Sequence, residues 1–225
     1  MINIKPVSEE SMQEAATILK KGGVVILPTD TNYNVITHMH SKEGVDRIFE
    51  MKKRESLSPL TLWLGDSVEL LDYAYVTPQT MDLVKQIWPE KISFILHQKK
   101  TVPDYVTRGF GTVAATLHIH PVLRKVAHLL GMPFVGTSAN LSGTGNVPDV
   151  RKAVEHIGEQ VDLIIDAGLS KIDGANTIVD FTFNPPLLAR EGAYPLDRVI
   201  ELIPDIQYKL KTGEYKNLAK TRVKN

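Results

Sequence analysis

The chain has 225 residues, the length of one large domain or at most two small ones, since domains hold roughly 100 to 200 residues. Its apolar share of 43% and charged share of 23% exclude disordered, collagen-like and coiled-coil classes, and 26 basic residues against 26 acidic ones give no general basic excess to announce a nucleic-acid or membrane-surface binder. The absence of cysteine excludes disulfide scaffolds, thiolate metal sites and a cysteine nucleophile, and with no leader-like start and no apolar run of about 18 to 20 residues the expectation is a soluble cytoplasmic protein.

In chain order, Met12, Ala15, Ala16 and Leu19 repeat at helical spacing, which predicts a helix over Glu9 to Lys21 stopped by Gly22-Gly23. Val24 to Leu27 is a continuous apolar run, the pattern of a strand covered on both faces, and Pro28 ends it. Helix and strand then alternate: a helix near Glu43 to Met51, a strand at Leu60 to Leu64, a helix near Thr77 to Ile87 and a strand at Ile92 to His97. A strand at Val113 to Ile119, a helix over Val122 to Leu130 and a strand at Phe134 to Thr137 follow, and Val150, Ala153, Val154 and Ile157 mark another helix. Three short strands close the pattern, at Leu163 to Asp166, Thr177 to Phe181 and Leu187 to Arg190. With no Pro- or Gly/Ser-rich linker and no repeat, the pattern predicts one α/β domain on a single twisted, mixed open sheet over residues 1–207. Residues 208–225 form a basic tail, where Lys209, Lys211, Lys216, Lys220, Arg222 and Lys224 face the single acid Glu214; it reads as a phosphate-seeking arm or as a solvated terminus.

Ligands of open α/β sheets bind beyond the carboxyl ends of strands. Three segments there carry chemistry: Pro28 to Tyr33, Lys52-Lys53-Arg54, and the loop Gly136-Thr137-Ser138-Ala139-Asn140-Leu141-Ser142-Gly143. The loop offers small hydroxyl and amide donors between glycines, suited to an anion, although such residues also make ordinary turns. It is not a Walker A sequence, and no GxGxxG follows a strand. Lys52 and Arg54 supply a point charge and a bidentate fork for phosphate oxygens, or equally complement a helix C-terminus, and both are expected to be exposed in the crevice. Arg190 ends an apolar strand and offers a third cation, or a salt bridge to Glu191. The pairs His38/His40 and His118/His120 each share a strand face, but no carboxylate or thiolate follows at ligand spacing, so no dedicated metal site is expected. Trp63 and Trp88 read as packing residues.

Six motifs in register carry a resemblance: Leu27-Pro28-Thr29-Asp30-Thr31-x-Tyr33; Lys52-x-Arg54 before Pro59-Leu60; Trp88-Pro89; His120-Pro121; Thr137 to Gly143; and Arg190-Glu191-Gly192. Over Gly22 to about Gly192 the chain resembles the Sua5/YrdC/YciO family, as a divergent member. The resemblance implies a twisted sheet with a concave, positively lined face that binds ATP. It implies that bicarbonate and the amine of L-threonine condense to a carbamate whose carboxylate attacks the α-phosphate of ATP, giving threonylcarbamoyl-AMP and pyrophosphate for tRNA modification by an unidentified downstream transferase. No nucleophilic side chain is needed. Lys52 and Arg54 would stabilise phosphate charge; Ser58, Ser138, Asn140, Asn146 and Arg190 would complete the ATP side; Thr31, Tyr33, Thr116 and Asn176 would form the amino-acid or carbamoyl side. Mg²⁺ would arrive with the ATP phosphates.

The departures from the family pattern lie on the amino-acid side. Thr116 replaces an arginine expected to pair with the threonine carboxylate, Asn176 replaces a serine, Asn34 replaces a glycine after Tyr33, and Glu90-Lys91 replaces Gly-Pro. A charge-assisted contact is worth roughly 1.5 to 3 kcal/mol, so its loss would weaken threonine binding by about one to two decades. Two alternatives therefore stay open: formation or transfer of a carbamoyl-adenylate without threonine, from a carbamoyl donor, and a non-catalytic protein that binds double-stranded RNA.

Overall fold

The computed structural model describes residues 2–53, 59–117, 119–141, 144–170, 174–208, 214–215 and 218. Among them, ten strands form one sheet: β1 (Ile4–Pro6), β2 (Val25–Pro28), β3 (Tyr33–His38), β4 (Thr61–Leu64), β5 (Ile92–His97), β6 (Thr112–Leu117), β7 (Phe134–Ser138), β8 (Leu163–Asp166), β9 (Thr177–Asp180) and β10 (Leu187–Arg190). The helices are α1 (Glu9–Lys20), α2 (Lys42–Met51), α3 (Leu70–Tyr73), α4 (Pro78–Ile87), α5 (Asp104–Thr107), α6 (Pro121–Leu130), α7 (Val150–Ile157) and α8 (Leu196–Leu202).

The strand order is β1-β8-β2-β3-β7-β4-β6-β5-β9-β10. Parallel pairs (β1/β8, β2/β8, β4/β6, β5/β9) alternate with antiparallel ones (β2/β3, β3/β7, β4/β7, β5/β6, β9/β10), so the expected mixed sheet is present. Helix ends follow local chemistry. Ser8 caps α1, its hydroxyl accepting from Ser11 N while Ser11 Oγ accepts from Ser8 N, both at 3.0 Å. Gly22 turns the chain at φ 84°, and a Cβ there would stand 2.8 Å from Ser41 Oγ, the atom that caps α2.

Side chains of β2 alternate between two cores, as its unbroken apolar run predicts. Val24 and Ile26 join the larger core under α2, α4, α7 and α8, whereas Val25 and Leu27 join Ala15, Leu19, Val126 and Phe134 under α1 and α6. Each such fully buried Leu or Phe contributes about 1.5–3 kcal/mol. The sequence pattern does not announce β3, because Asn34 and Thr37 interrupt its apolar residues. Thr37 is nevertheless fully buried, its hydroxyl donating to Gly23 O at 2.9 Å.

The two halves of the sheet differ on the α1/α6 face. The core under those helices draws on β8, β2, β3, β7 and, through Trp63, β4, but on no residue of β6, β5 or β9 among those described. Val113 and Ala115 of β6 and Phe94 of β5 point into the larger core, so Thr116 and Ser93 point the other way, toward this open face. The crevice is the step between the covered and the uncovered half.

Candidate functional site

At the carboxyl end of β7, a buried lysine organises the small-residue loop. Lys52 is the C-cap of α2. Its stem runs inward, and the residue is only 2% exposed. The ammonium donates to Ser138 O, to Asn140 O at 2.7 Å and to Asn140 Oδ1 at 2.9 Å. An ammonium has three donors and no acceptor, so a ring of three oxygens is its natural cradle. Ser138 Oγ donates to the same Asn140 Oδ1 at 2.6 Å, and Asn140 Nδ2 donates to Gly145 O at 2.7 Å. A residue at position 52 is thereby tied to residues 138, 140 and 145.

This corrects the expectation that Lys52 is exposed in the crevice. Charged groups are buried only when they are hydrogen-bonded, and here the loop's backbone carbonyls do the bonding. The ammonium of Lys52 thus acts on the loop. Arg54 and Ser58 lie outside the described residues, as do His118 and Ser142. Asn146 is exposed and follows directly on Gly145, so it belongs to the same loop.

The second part of the site is a hollow on the open face, lined by Asp30, Thr31, Trp63, Lys91, Leu117 and Asn176 among others. The turn between β2 and β3 is fixed from inside: Thr29 Oγ1 donates to Asn32 O at 2.6 Å and accepts from Asn32 N at 3.1 Å. Asn32 Nδ2 donates to Gly174 O at 2.6 Å, and Asn32 Oδ1 accepts from Val147 N at 2.7 Å, so Thr31 is held at the rim. Behind it, Asn176 Nδ2 donates to Thr116 Oγ1 at 3.1 Å and to Ser93 Oγ at 3.3 Å, while Thr116 Oγ1 donates to Ile92 O at 3.1 Å. Thr116 is 1% exposed, so the position expected to carry an arginine holds a buried, neutral hydroxyl.

Charge around this hollow is sparse and mixed. Burial raises the Asp30 carboxyl above its usual range, opposed by the nearby charges of His120 and Lys91. Burial lowers His120, opposed by Asp30. His120 also caps α6, its Nδ1 accepting from Val122 N at 3.3 Å.

Two expected site residues sit differently from the sequence reading. Tyr33 packs in the larger core with its hydroxyl donating to Gly168 O at 2.7 Å and accepting from Ala167 N at 2.9 Å; burial pushes it up to about 12. It holds the 167–168 turn and does not line the hollow. Arg190, expected on the phosphate side, aims its fork at the backbone of the amino-acid side: Nε and Nη2 donate to Asn176 O at 2.9 and 2.7 Å. The structure thus joins Lys52, Ser138, Asn140 and the neighbouring Asn146 in one group, and Thr31, Thr116, Asn176 and Arg190 in another.

Sequence reasoning did not assign Asp30, Lys91 and Trp63 to the site. Asp30 and Lys91 fall within segments already singled out, the β2–β3 turn and the Glu90-Lys91 departure. Trp63 does pack, its ring centroid 6.4 Å from that of Phe134, but it also walls the hollow, and its indole N–H has no hydrogen-bond partner among the described residues. No group of three His, Asp or Glu able to hold a metal ion occurs among the described residues. Of the tail, Tyr215 is described; its hydroxyl donates to Asp180 Oδ2 at 2.8 Å, and the basic residues named above lie outside the described residues.

Comparison with known proteins bears on this geometry. A family model named for Sua5, yciO and yrdC and described as telomere recombination matches residues 17–192. The threonylcarbamoyl-AMP synthase of Pyrococcus abyssi is 30% identical over 209 residues, covering 92% of this chain and 62% of that protein. The chain therefore spans about three fifths of the length of that relative. A crystal structure of P. abyssi Sua5 complexed with L-threonine superposes with a TM-score of 0.85 at 29% identity, over 92% of this chain and 61% of that one. Escherichia coli YciO superposes with a TM-score of 0.82 at 26% identity, over 90% of this chain and 100% of that one.

Proposed function

The chain belongs to the Sua5/YciO/YrdC family, and on that premise we propose that it is an ATP-dependent, adenylate-forming nucleotidyltransferase that makes threonylcarbamoyl-AMP for tRNA modification. The observation that carries the reading is the buried ammonium of Lys52 bonded to Ser138 and Asn140 at a strand end, in a chain whose relatives include a threonylcarbamoyl-AMP synthase and a Sua5 protein complexed with L-threonine.

The chemistry asks the protein for position and charge. Bicarbonate and the amine of the amino acid condense to a carbamate with loss of water. A carbamate oxygen then attacks the α-phosphorus of ATP, the bond to the β-phosphate oxygen breaks, and pyrophosphate leaves with the electron pair. Catalysis of such a transfer is alignment plus stabilisation of phosphate charge. Ser138, Asn140 and Asn146 hold the nucleotide from the loop, and Ser58 and Arg54 are assigned to the nucleotide and its phosphates by the family resemblance; Lys52 fixes the loop and adds its field. Thr31 and the Asn176 region face the acceptor. Magnesium enters as part of the MgATP substrate, held by phosphate oxygens and water.

The test is pyrophosphate release from ATP and bicarbonate, with and without L-threonine. Strict dependence on threonine is the expected result; release that ignores threonine and follows carbamoyl phosphate would replace this reading with carbamoyl-adenylate formation. That second reading has an observation of its own. The network of Thr116, Asn176 and Ser93 is neutral, and Thr116 stands at the position where the family resemblance leads one to expect an arginine.

A further inference from the structure

The Lys52 ammonium is spent on protein oxygens, so charge facing solvent at this end of the sheet has to come from elsewhere. The described non-glycine residues with left-handed backbone are Lys53, at φ 46°, and Arg108, at φ 57°. Both are basic and exposed. Both also flank the segment that links α2 to β4: Lys53 leads into it, and where it returns, Leu60 N donates at 3.2 Å to Val106 O, two residues before Arg108. Left-handed backbone favours glycine, and other residues are held in it where the surroundings over-determine the chain, often at ligand sites.

Arg108 is fixed from two sides. Its backbone caps α5, the N–H donating to Asp104 O, and Gly109 and Gly111 continue the turn at φ 75° and 67°. Its guanidinium carbon stands 3.8 Å from the centre of the Phe49 ring on α2, one turn before Lys52 and Lys53. A stack on an aromatic face sets the plane of the fork and uses none of its five N–H donors. Among the described residues the Arg108 guanidinium makes no hydrogen bond or ion pair, and it rests on the Phe49 ring. A rigid, undischarged guanidinium fork beside the Lys52 turn is built for a bidentate oxyanion, and phosphate geometry matches it.

We propose that Arg108, stacked on Phe49, is a polyphosphate-binding residue that meets the terminal phosphates of the nucleotide. This rests on the reading above that the nucleotide is ATP, while the anion specificity follows from Arg108 alone. Lys53 adds charge beside it without the fork.

Isothermal titration of wild type, Arg108→Gly, Arg108→Lys and Phe49→Leu against ATP, AMP and inorganic tripolyphosphate tests the proposal. Glycine is at ease at positive φ, so Arg108→Gly keeps the turn and removes only the fork. The expected result is a Kd for ATP and tripolyphosphate raised about tenfold in Arg108→Gly, with AMP changed less than about twofold and Tm unchanged or raised. Arg108→Lys should recover only part of the loss, and Phe49→Leu should weaken tripolyphosphate about two- to threefold with the arginine still present. Unchanged tripolyphosphate and ATP binding in Arg108→Gly would overturn the proposal, as would an equal loss for AMP or no tripolyphosphate binding by wild type. Arg108-dependent tripolyphosphate binding without pyrophosphate release from ATP under any acceptor condition would uphold Arg108 as a phosphate site and remove the adenylate-forming reading.

Discussion

The two ends of the candidate site solve opposite problems. At the loop end, a cation is buried and the backbone oxygens of residues 138 and 140 close around it, so the charge shapes the loop before any ligand arrives. At the hollow, Thr116, Asn176 and Ser93 form a neutral network, and the charges nearby, those of Asp30, Lys91, His120 and the Arg190 guanidinium bonded to Asn176 O, are of both signs. The loop end is thus organised around a buried cation, whereas the hollow is organised around neutral side chains. The difference teaches that divergence within a shared fold can be confined to one part of a site, because the Lys52–Ser138–Asn140 network and the Thr116–Asn176–Ser93 network share no member among the described hydrogen bonds, although Asn32 Oδ1, accepting from Val147 N, ties the β2–β3 turn to the end of the loop.

The largest test of that contrast removes the buried charge. Lys52→Ala leaves two carbonyls and an amide oxygen without their donor, and should destabilise the fold by about 2–4 kcal/mol in urea unfolding while abolishing pyrophosphate release. A variant of native stability would show that the ammonium does not hold the loop. Asn140→Ala removes the side chain that links Lys52 to Gly145 O, and should cost about 1–3 kcal/mol and raise the KM for ATP with little change in that for the acceptor. An equal rise for both would merge the two halves that the structure separates.

Rebuilding charge in the hollow works in the other direction. Thr116→Arg combined with Asn176→Ser places a guanidinium where the neutral network stands and vacates room for it. The KM for L-threonine should fall about tenfold and that for ATP should stay within about twofold, since one charge-assisted contact is worth roughly 1.5–3 kcal/mol. A KM for threonine that does not move would mean that the acceptor carboxylate lies elsewhere.

The smallest effect is on pH. Burial holds both His38 and His120 below the ordinary histidine value. In the unfolded chain these groups take up protons at higher pH than in the folded one, so stability is unaffected well above the ordinary histidine value of 6.5 and falls as pH drops below it. Asp30, raised by burial, acts oppositely at lower pH, where its protonation relieves the cost of a buried carboxylate. Tm should therefore decline between about pH 7 and 5, and His120→Asn, which keeps a cap acceptor without titrating there, should flatten part of that decline. An unchanged slope would exclude His120 as a source.

The sequence made one half of this picture far more legible than the other. The unbroken run of β2 announced a strand covered on both faces, and motif order joined Lys52 to the loop at Ser138 and Asn140 although 86 residues separate Lys52 from Ser138. What sequence could not carry was the direction of side chains. Nothing local says that Lys52 turns inward, that Tyr33 serves the core, or that Arg190 bonds the carbonyl of Asn176, because each depends on partners from distant strands. Strand β3 was hidden because its buried Asn34 and Thr37 break the apolar pattern, and α5 and α8 because they are short. The Arg108–Phe49 stack joins α5 to α2 through the fold alone; its only sequence signal is an arginine in a turn beside two nearby glycines.

We propose that this chain activates a carbamate with ATP, and quantifying pyrophosphate and adenylate product together in one assay decides the matter. With ATP, bicarbonate and L-threonine, the account predicts threonylcarbamoyl-AMP and pyrophosphate in equal amounts, with threonine saturating poorly and ATP saturating well. Absence of both products at saturating ATP, with threonine or carbamoyl phosphate supplied, would contradict it.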